Sequence, residues 1–111
     1  MRARAHKYGA KPTVVDNIRF ASKKEAARYC ELKLLTTARQ VSHLTLQDRW
    51  PLMVPYGVDK HVIGHYLSDF RYYDEQKEEW VTEDVKGFRT PLYRWKKRHV
   101  EAQYGITIRE T

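Results

Sequence analysis

Two aspartates and a lysine in the middle of the chain have the residue types of a metal-assisted hydrolytic site. Asp69 lies in one predicted strand, and Asp84 and Lys86 lie two residues apart in the next. If the polar loop between these strands is symmetric, Asp69 faces Asp84 across the strand pair. Directly opposed side chains have Cβ atoms about 4.5–5.5 Å apart, so two carboxylates there require a cation between them or a proton on one of them.

Lys86 adds an ammonium group to the same face, because side chains two residues apart on a strand point the same way. Oxygen-only ligation favours Mg²⁺ or Mn²⁺ over zinc. Such an ion polarises a phosphoryl oxygen and lowers the pKa of a bound water. The lysine is then placed to orient or deprotonate that water, or to neutralise charge on the phosphate.

The same residues also have a purely structural interpretation. Asp84 and Lys86 could form an ordinary exposed ion pair, worth less than ~1 kcal/mol. A register slip of one residue would move Asp69 to the other face of the sheet. Spacing alone leaves these two interpretations about equally weighted.

The first part of the chain predicts a hairpin followed by a helix. Residues 13–15 and 18–20 flank Asp16-Asn17, a two-residue turn sequence. Ser22 and Glu25 form a Ser-x-x-Glu helix start, and the helix is expected to run to about Arg39. One apolar stripe consists of Ala27, Cys30, Leu34 and Ala38.

That stripe predicts a buried Cys30 that acts as a small hydrophobic residue. A second ridge of the same helix carries Glu25, Tyr29 and Leu32. The pattern leaves open which of the two ridges faces the sheet.

The remainder of the chain predicts three strands, a second helix and a last strand. Residues 50–56 alternate with a period of two but contain two prolines, which indicates an edge or bulged strand. Residues 61–73 and 80–86 are the next strands, and their short connections favour antiparallel neighbours. Residues 106–109 follow a crossover helix and could pair in parallel. The predicted fold class is therefore α/β (α+β), a mixed sheet flanked by helices.

The second helix begins at Thr90-Pro91 and ends at Gly105. Its expected apolar face carries Leu92, Trp95, Val100 and Tyr104. Arg94, Lys97 and Arg98 lie on the opposite face, where they either contact phosphates or are simply solvated. Lys96 falls within the apolar arc, so its ammonium either snorkels outward or reaches toward the active-site face as a group that contacts phosphate.

Composition limits the possible functions. With 111 residues, we expect a loose basic tail at residues 1–12 and one domain at residues 13–111, without separate cofactor and substrate lobes. A single cysteine excludes an intrachain disulfide framework and predicts a reducing, cytoplasmic setting. No apolar run is long enough to span a membrane, and none follows the basic N-terminus as in a secretion signal. The net charge of +7 and the pI of about 9.6 favour a polyanionic partner.

Asp69 followed by Asp84-Val85-Lys86 is similar to the PD-(D/E)xK nuclease signature, with Ser68 in place of the proline of that motif. The predicted element order also resembles the αβββαβ core of the restriction-endonuclease-like fold. The chain more closely resembles a family of small phage-encoded proteins related to Holliday-junction resolvases of the endonuclease I type. The segments that carry this resemblance are Lys7-Tyr8-Gly9, Ser22-Lys23-Lys24-Glu25-Ala26, Leu46-Gln47, Ser68-Asp69-Phe70 and Glu83-Asp84-Val85-Lys86-Gly87-Phe88.

The resemblance implies a Mg²⁺-dependent endonuclease, with Mn²⁺ able to substitute, that cuts branched DNA as a homodimer in a phage-infected bacterial cell. It implies that Glu25 completes the metal site with Asp69, Asp84 and the backbone carbonyl of Val85. Lys86 would act on the water, and Gln47 would support the site. The implied DNA contacts are Arg89, Arg94, Lys96, Lys97 and Arg98. Neither a membrane nor a nucleotide cofactor is expected. The alternative is a DNA-binding or packaging accessory protein that keeps the scaffold without catalysis.

Overall fold

The computed structural model describes residues 11–86 and 88–111. Most of the predicted basic tail lies outside these residues. The elements, in chain order, are β1 (Thr13–Val15), β2 (Ile18–Phe20), α1 (Lys23–Thr37), β3 (Val41–Tyr56), β4 (Asp59–Asp74), β5 (Glu79–Asp84), α2 (Pro91–Tyr104) and β6 (Ile108–Glu110).

The main sheet is mixed and has the strand order β3-β4-β5-β6. Strands β3, β4 and β5 are antiparallel neighbours, and β6 pairs in parallel with β5 after the α2 crossover. A separate hairpin joins β1 to β2 through Asp16 and Asn17, whose φ values of 53° and 63° are typical of a two-residue primed turn. The α+β class and the mixed sheet predicted from the sequence are therefore confirmed.

Strand β3 is longer than its alternating pattern predicts. It begins at Val41 rather than near Trp50, and it lies at the edge of the sheet with two irregularities in its pairing to β4. His43 and Gln47 have positive φ values of 56° and 55° within the strand. Exposure nevertheless alternates regularly along residues 42–50. The first half of the strand was hidden because two of its partly buried positions, Ser42 and Asp48, are polar.

Local capping fixes both helices. The Ser22 hydroxyl accepts a hydrogen bond from the Glu25 backbone N–H (3.1 Å), and the Thr90 hydroxyl accepts one from the Tyr93 N–H (3.0 Å). Helix α2 ends at Gly105, whose φ of 67° is the left-handed conformation that favours glycine. The predicted starts of both helices and the end of α2 are confirmed.

Helix α1 turns the ridge of Glu25, Tyr29 and Leu32 toward the sheet. The predicted burial of Cys30 is therefore wrong: Cys30 is exposed, and Leu34 on the same stripe is 72% exposed. The larger tyrosine and leucine cover more of the core than the stripe of alanine and cysteine, so they decide which face is buried.

The core consists of two clusters, one for each helix. The α1 cluster contains Phe20, Ala26, Tyr29, Leu32, Val41, Phe70, Tyr72 and Val81, and the α2 cluster contains Leu52, Tyr66, Val100 and Ile108. Val81 belongs to the first cluster, whereas its neighbour Thr82 pairs with Ile108 of the second. Because side chains alternate along a strand, the two helices cover opposite faces of the sheet at β5.

The apolar face predicted for α2 is only partly correct. Val100 is buried and Tyr104 is partly buried, but Leu92 is 60% exposed and Trp95 is 49% exposed. Tyr93, which lies one residue along from Leu92, packs against the α2 cluster in its place. No helix in the described part of the chain is long and apolar enough to cross a membrane.

Candidate active site

The two predicted aspartates lie at the end of the β4–β5 ladder. Phe70 pairs with Glu83, so the next residues in the same register are Asp69 and Asp84. This is the register expected from a symmetric loop, and it places both carboxylates on one side of the strand pair. The Oδ2 atom of Asp69 accepts a hydrogen bond from the backbone N–H of Val85 (2.7 Å), which ties the interior of β4 to the segment after β5.

Asp84 is fully buried, and its carboxylate lacks hydrogen-bond partners. The residue is 0% exposed, and neither side-chain oxygen makes a hydrogen bond among the described residues. Its nearest cation is the Lys86 ammonium, 3.5 Å from Oδ1. Burial raises the pKa of Asp84 to about 6, although the positive charge of Lys86 acts in the opposite direction. A buried carboxylate that makes no hydrogen bond among the described residues and has one ammonium beside it is costly, and such a group is typical of a binding or catalytic site.

Glu25, in the first turn of α1, interacts electrostatically with Asp69, Asp84 and Lys86. It is 7% exposed, and burial together with repulsion from Asp69 raises its pKa to about 7. Lys86 lowers this pKa, and the negative charge of Asp84 adds to the increase. The Ser22 hydroxyl accepts a hydrogen bond from the Glu25 N–H, and a backbone hydrogen bond at Ala21 lowers the pKa of the Glu25 carboxylate.

Lys86 is the shared cation of the cluster. Its positive charge lowers the pKa of Glu25, Asp69 and Asp84, while burial raises the pKa of Asp69 above its usual value. The Lys86 side chain is 25% exposed, and its ammonium lies 4.3 Å from the centroid of the Tyr93 ring. The prediction that Asp84 and Lys86 share a face is supported by their 3.5 Å contact.

The donor set suits a hard divalent ion but is not a complete cage. Within residues 11–86 and 88–111, no three His, Cys, Asp or Glu side chains lie close enough together to hold a metal ion. Mg²⁺ commonly takes one or two protein carboxylates and completes its shell with water and substrate phosphate. The two free oxygens of Asp84, beside Asp69, fit that mode of binding better than a site with three carboxylates.

Gln47 lies on the outer strand at the level of Asp69. Leu46 pairs with Phe70 and Asp48 pairs with Ser68, and Gln47 lies between them without a pair of its own in the described sheet. It is exposed and has a φ of 55°. Its position is compatible with the supporting role implied by the resemblance.

The predicted DNA contacts fall into two groups. Arg89 and Lys97 are engaged within the protein: Arg89 binds Glu110 (3.0 Å), and Lys97 binds Glu101 (3.0 Å). Arg94, Lys96 and Arg98 form no ion pair with the described residues, and Arg94 and Arg98 are exposed. The second group is the one available to contact phosphates.

A buried ion pair behind the site was not anticipated from the sequence. Glu83 is 0% exposed and is bound at two points by Arg28. The Tyr72 hydroxyl donates a hydrogen bond to the same carboxylate. Burial raises the pKa of Tyr72 to about 12. The available signal was the placement of Arg28 about one helical turn after Glu25, together with a carboxylate immediately before Asp84.

The fold and the candidate site define an α+β chain with buried carboxylates at the end of an antiparallel strand pair. The chain belongs to a family described as protein of unknown function (DUF1064), and the match covers residues 5–110. No curated protein and no solved structure matches the chain significantly.

Proposed function

We propose that this protein is a metal-dependent endonuclease that hydrolyses phosphodiester bonds in DNA. The observation that carries the proposal is the buried Asp84 carboxylate, which makes no hydrogen bond within residues 11–86 and 88–111 and lies next to Asp69 and 3.5 Å from the Lys86 ammonium. A site that only stabilised the fold would be expected to satisfy those oxygens.

In the proposed reaction, Asp69 and Asp84 would hold Mg²⁺, or Mn²⁺ in its place, and water and the substrate phosphate would complete its shell. The resemblance adds Glu25 and the carbonyl oxygen of Val85 as ligands, although Glu25 is not close enough to complete a three-carboxylate group among the described residues. The ion supplies electrophilic activation of the scissile phosphate and of water. Lys86 orients the attacking water and offsets the negative charge that develops on the phosphate. The water oxygen bonds to phosphorus and gives up a proton as the P–O ester bond breaks, and the departing alkoxide takes up a proton.

The proposed substrate is branched DNA, such as a Holliday junction, held by Arg94, Lys96 and Arg98, which form no ion pair with any residue that the structure describes. This part of the proposal rests on the resemblance to junction resolvases of the PD-(D/E)xK superfamily. A four-way junction has near two-fold symmetry, so a two-fold homodimer with two sites suits it. The corresponding setting is the cytoplasm of a phage-infected bacterium.

The test compares cleavage of a labelled four-way junction and of a linear duplex built from the same sequences, in Mg²⁺ and in Mn²⁺. We expect Asp84→Asn and Lys86→Ala each to lower the cleavage rate by ~10²-fold or more. Asp59→Asn is the matched control, because Asp59 is an exposed aspartate at the tip of the β3–β4 hairpin. Equal cleavage by all four proteins would point to a contaminating nuclease and would contradict the proposal.

A second candidate is a DNA-binding accessory protein without catalysis, which the absence of a three-ligand group among the described residues favours. It predicts junction binding that weakens steeply with salt, because phosphate contacts release counterions, and no cleavage with either ion. Binding that does not respond to salt would exclude both candidates.

A further inference from the structure

We propose that Tyr93 is a positioning residue that fixes the Lys86 ammonium beside the Asp69 and Asp84 carboxylates, an inference that rests on the proposed function. The ammonium lies 4.3 Å from the centroid of the Tyr93 ring, within the range of a cation–π contact. The same ammonium lies 3.5 Å from Asp84 Oδ1. The ring and the carboxylate therefore both contact it.

The Tyr93 ring is itself fixed by two elements of the fold. Its hydroxyl donates a hydrogen bond to Glu110 Oε2 (2.7 Å), and Glu110 Oε1 accepts one from Arg89 Nε (3.0 Å). Glu110 lies on β6 directly beside Asp84 of β5. The backbone N–H of Tyr93 binds the Thr90 hydroxyl at the start of α2. The ring thus links α2, β6 and the end of β5 at the candidate site.

This arrangement matters because a lysine side chain is otherwise flexible. Lys86 follows β5 in a segment without regular secondary structure, and its side chain is 25% exposed. An aromatic face attracts the ammonium without using any of its three N–H donors. Those donors stay available for Asp84, for a water or for a phosphate oxygen. If the ring is removed, the side chain gains alternative rotamers that point into solvent.

A packing role for Tyr93 is the competing explanation, since its ring also lies 6.4 Å from the Tyr66 ring. Tyr104 provides the matched control. It lies on the same helix, it packs against Trp50 with ring centroids 5.0 Å apart, and its hydroxyl also binds a protein oxygen, the Pro51 carbonyl at 2.7 Å. No contact between Tyr104 and Lys86 is present among the described residues.

The experiment measures the ¹H–¹³C shifts of the Lys86 ε-methylene group and the kinetics of junction cleavage in Tyr93→Phe, Tyr93→Leu and Tyr104→Leu. The Lys86 signal is assigned with Lys86→Arg. A nearby ring shifts the ε-methylene protons upfield, so we expect this shift in the wild type and in Tyr93→Phe and its loss in Tyr93→Leu. Cleavage by Tyr93→Leu should fall ~10-fold or more in kcat with KM little changed, because an interaction made at the transition state is lost.

Glu110→Gln is a milder second variant, which should reduce the upfield shift without removing the ring. The proposal is overturned if Tyr93→Leu retains the upfield shift, or if Tyr93→Leu and Tyr104→Leu lower kcat equally. If no protein in the series cleaves DNA, the proposed function fails, and the Lys86 shift alone then decides whether Tyr93 positions the ammonium.

Discussion

Arg28 binds Glu83 at two points where α1 meets β5. The Arg28 Nε atom lies 2.9 Å from one carboxylate oxygen, and Nη2 lies 2.6 Å from the other. Glu83 directly precedes Asp84, and Arg28 follows Glu25 by about one helical turn. This ion pair therefore fixes the helix that carries Glu25 relative to the strand that carries Asp84.

Removing Arg28 takes away the main positive charge beside the buried Glu83 carboxylate. That carboxylate then keeps the Tyr72 hydroxyl and the Arg109 guanidinium at 4.0 Å. We expect Arg28→Ala to lower the free energy of unfolding by about 3–5 kcal/mol, because Glu83 is fully buried. Urea denaturation measures the change. Lys23→Ala is the control: Lys23 is exposed in the first turn of the same helix, and its loss should cost less than ~0.5 kcal/mol. Equal effects of the two substitutions would contradict a stabilising role for the pair.

The buried carboxylates make stability depend on pH. The pKa values of Glu25 and Asp84 are raised to about 7 and about 6, so the folded state binds more protons than the unfolded state in this range. The free energy of unfolding therefore falls as pH rises from about 4 to about 7. At pH 8 without divalent ions, we expect Asp84→Asn to be more stable than the wild type by about 1–3 kcal/mol. A wild-type stability that increased over the same pH range would contradict this assignment.

Divalent ions that bind at Asp69 and Asp84 should offset the loss of stability caused by ionised, buried carboxylates. A ligand that binds only the folded state stabilises it by about 2.7 kcal/mol at 100 times its Kd. We expect the Tm of the wild type to rise with Mn²⁺ concentration and the Tm of Asp84→Asn to stay nearly constant. Asp59→Asn should respond like the wild type, because Asp59 lies at the far end of β4. A Mn²⁺ response in Asp84→Asn as large as that of the wild type would place the ion elsewhere.

The exposure of Cys30 predicts a reactive thiol in the native protein. Cys30 is the single cysteine and is exposed on α1. We expect one thiol to react with Ellman's reagent without denaturant, and Cys30→Ser to react with none and to keep the wild-type stability. A thiol that reacted only after unfolding would contradict the orientation of α1 described above.

Replacing Gly105, the left-handed residue that ends α2, should destabilise the protein. Gly105 has a φ of 67°, and an alanine there is strained although no atom lies within 4 Å of its Cβ position. We expect Gly105→Ala to lower the free energy of unfolding by about 1 kcal/mol. Gly64→Ala is the control, because Gly64 lies in β4 with equally open space and without a positive φ. A similar loss for both would show that the left-handed backbone is not the cause.

Local sequence patterns determined most of the element order. Four local features could be predicted because each depends only on neighbours in the chain. They are the caps at Ser22 and Thr90, the turn at Asp16-Asn17 and the helix end at Gly105. The antiparallel β4–β5 register followed from the same logic, because a short symmetric loop fixes which residues face each other.

The predictions that were wrong concern features that depend on contacts between distant parts of the chain. Cys30 and Leu34 share an apolar stripe, yet a neighbouring ridge with Tyr29 and Leu32 is the one that packs on the sheet. The first half of β3 was hidden because polar Ser42 and Asp48 occupy partly buried positions, so the apolar pattern has gaps although exposure alternates. Both outcomes depend on tertiary packing, which decides which side chains are covered.

The sequence by itself determined the residue types of the candidate site and the register that brings Asp69 opposite Asp84. Only the tertiary structure decided that Glu25 faces inward, that Asp84 is fully buried and makes no hydrogen bond among the described residues, and that the Tyr93 ring lies 4.3 Å from the Lys86 ammonium. Burial and contacts between distant segments depend on how α1, α2 and β6 pack around β5. Hydrogen-bond satisfaction and pKa values follow from that packing and not from spacing along the chain.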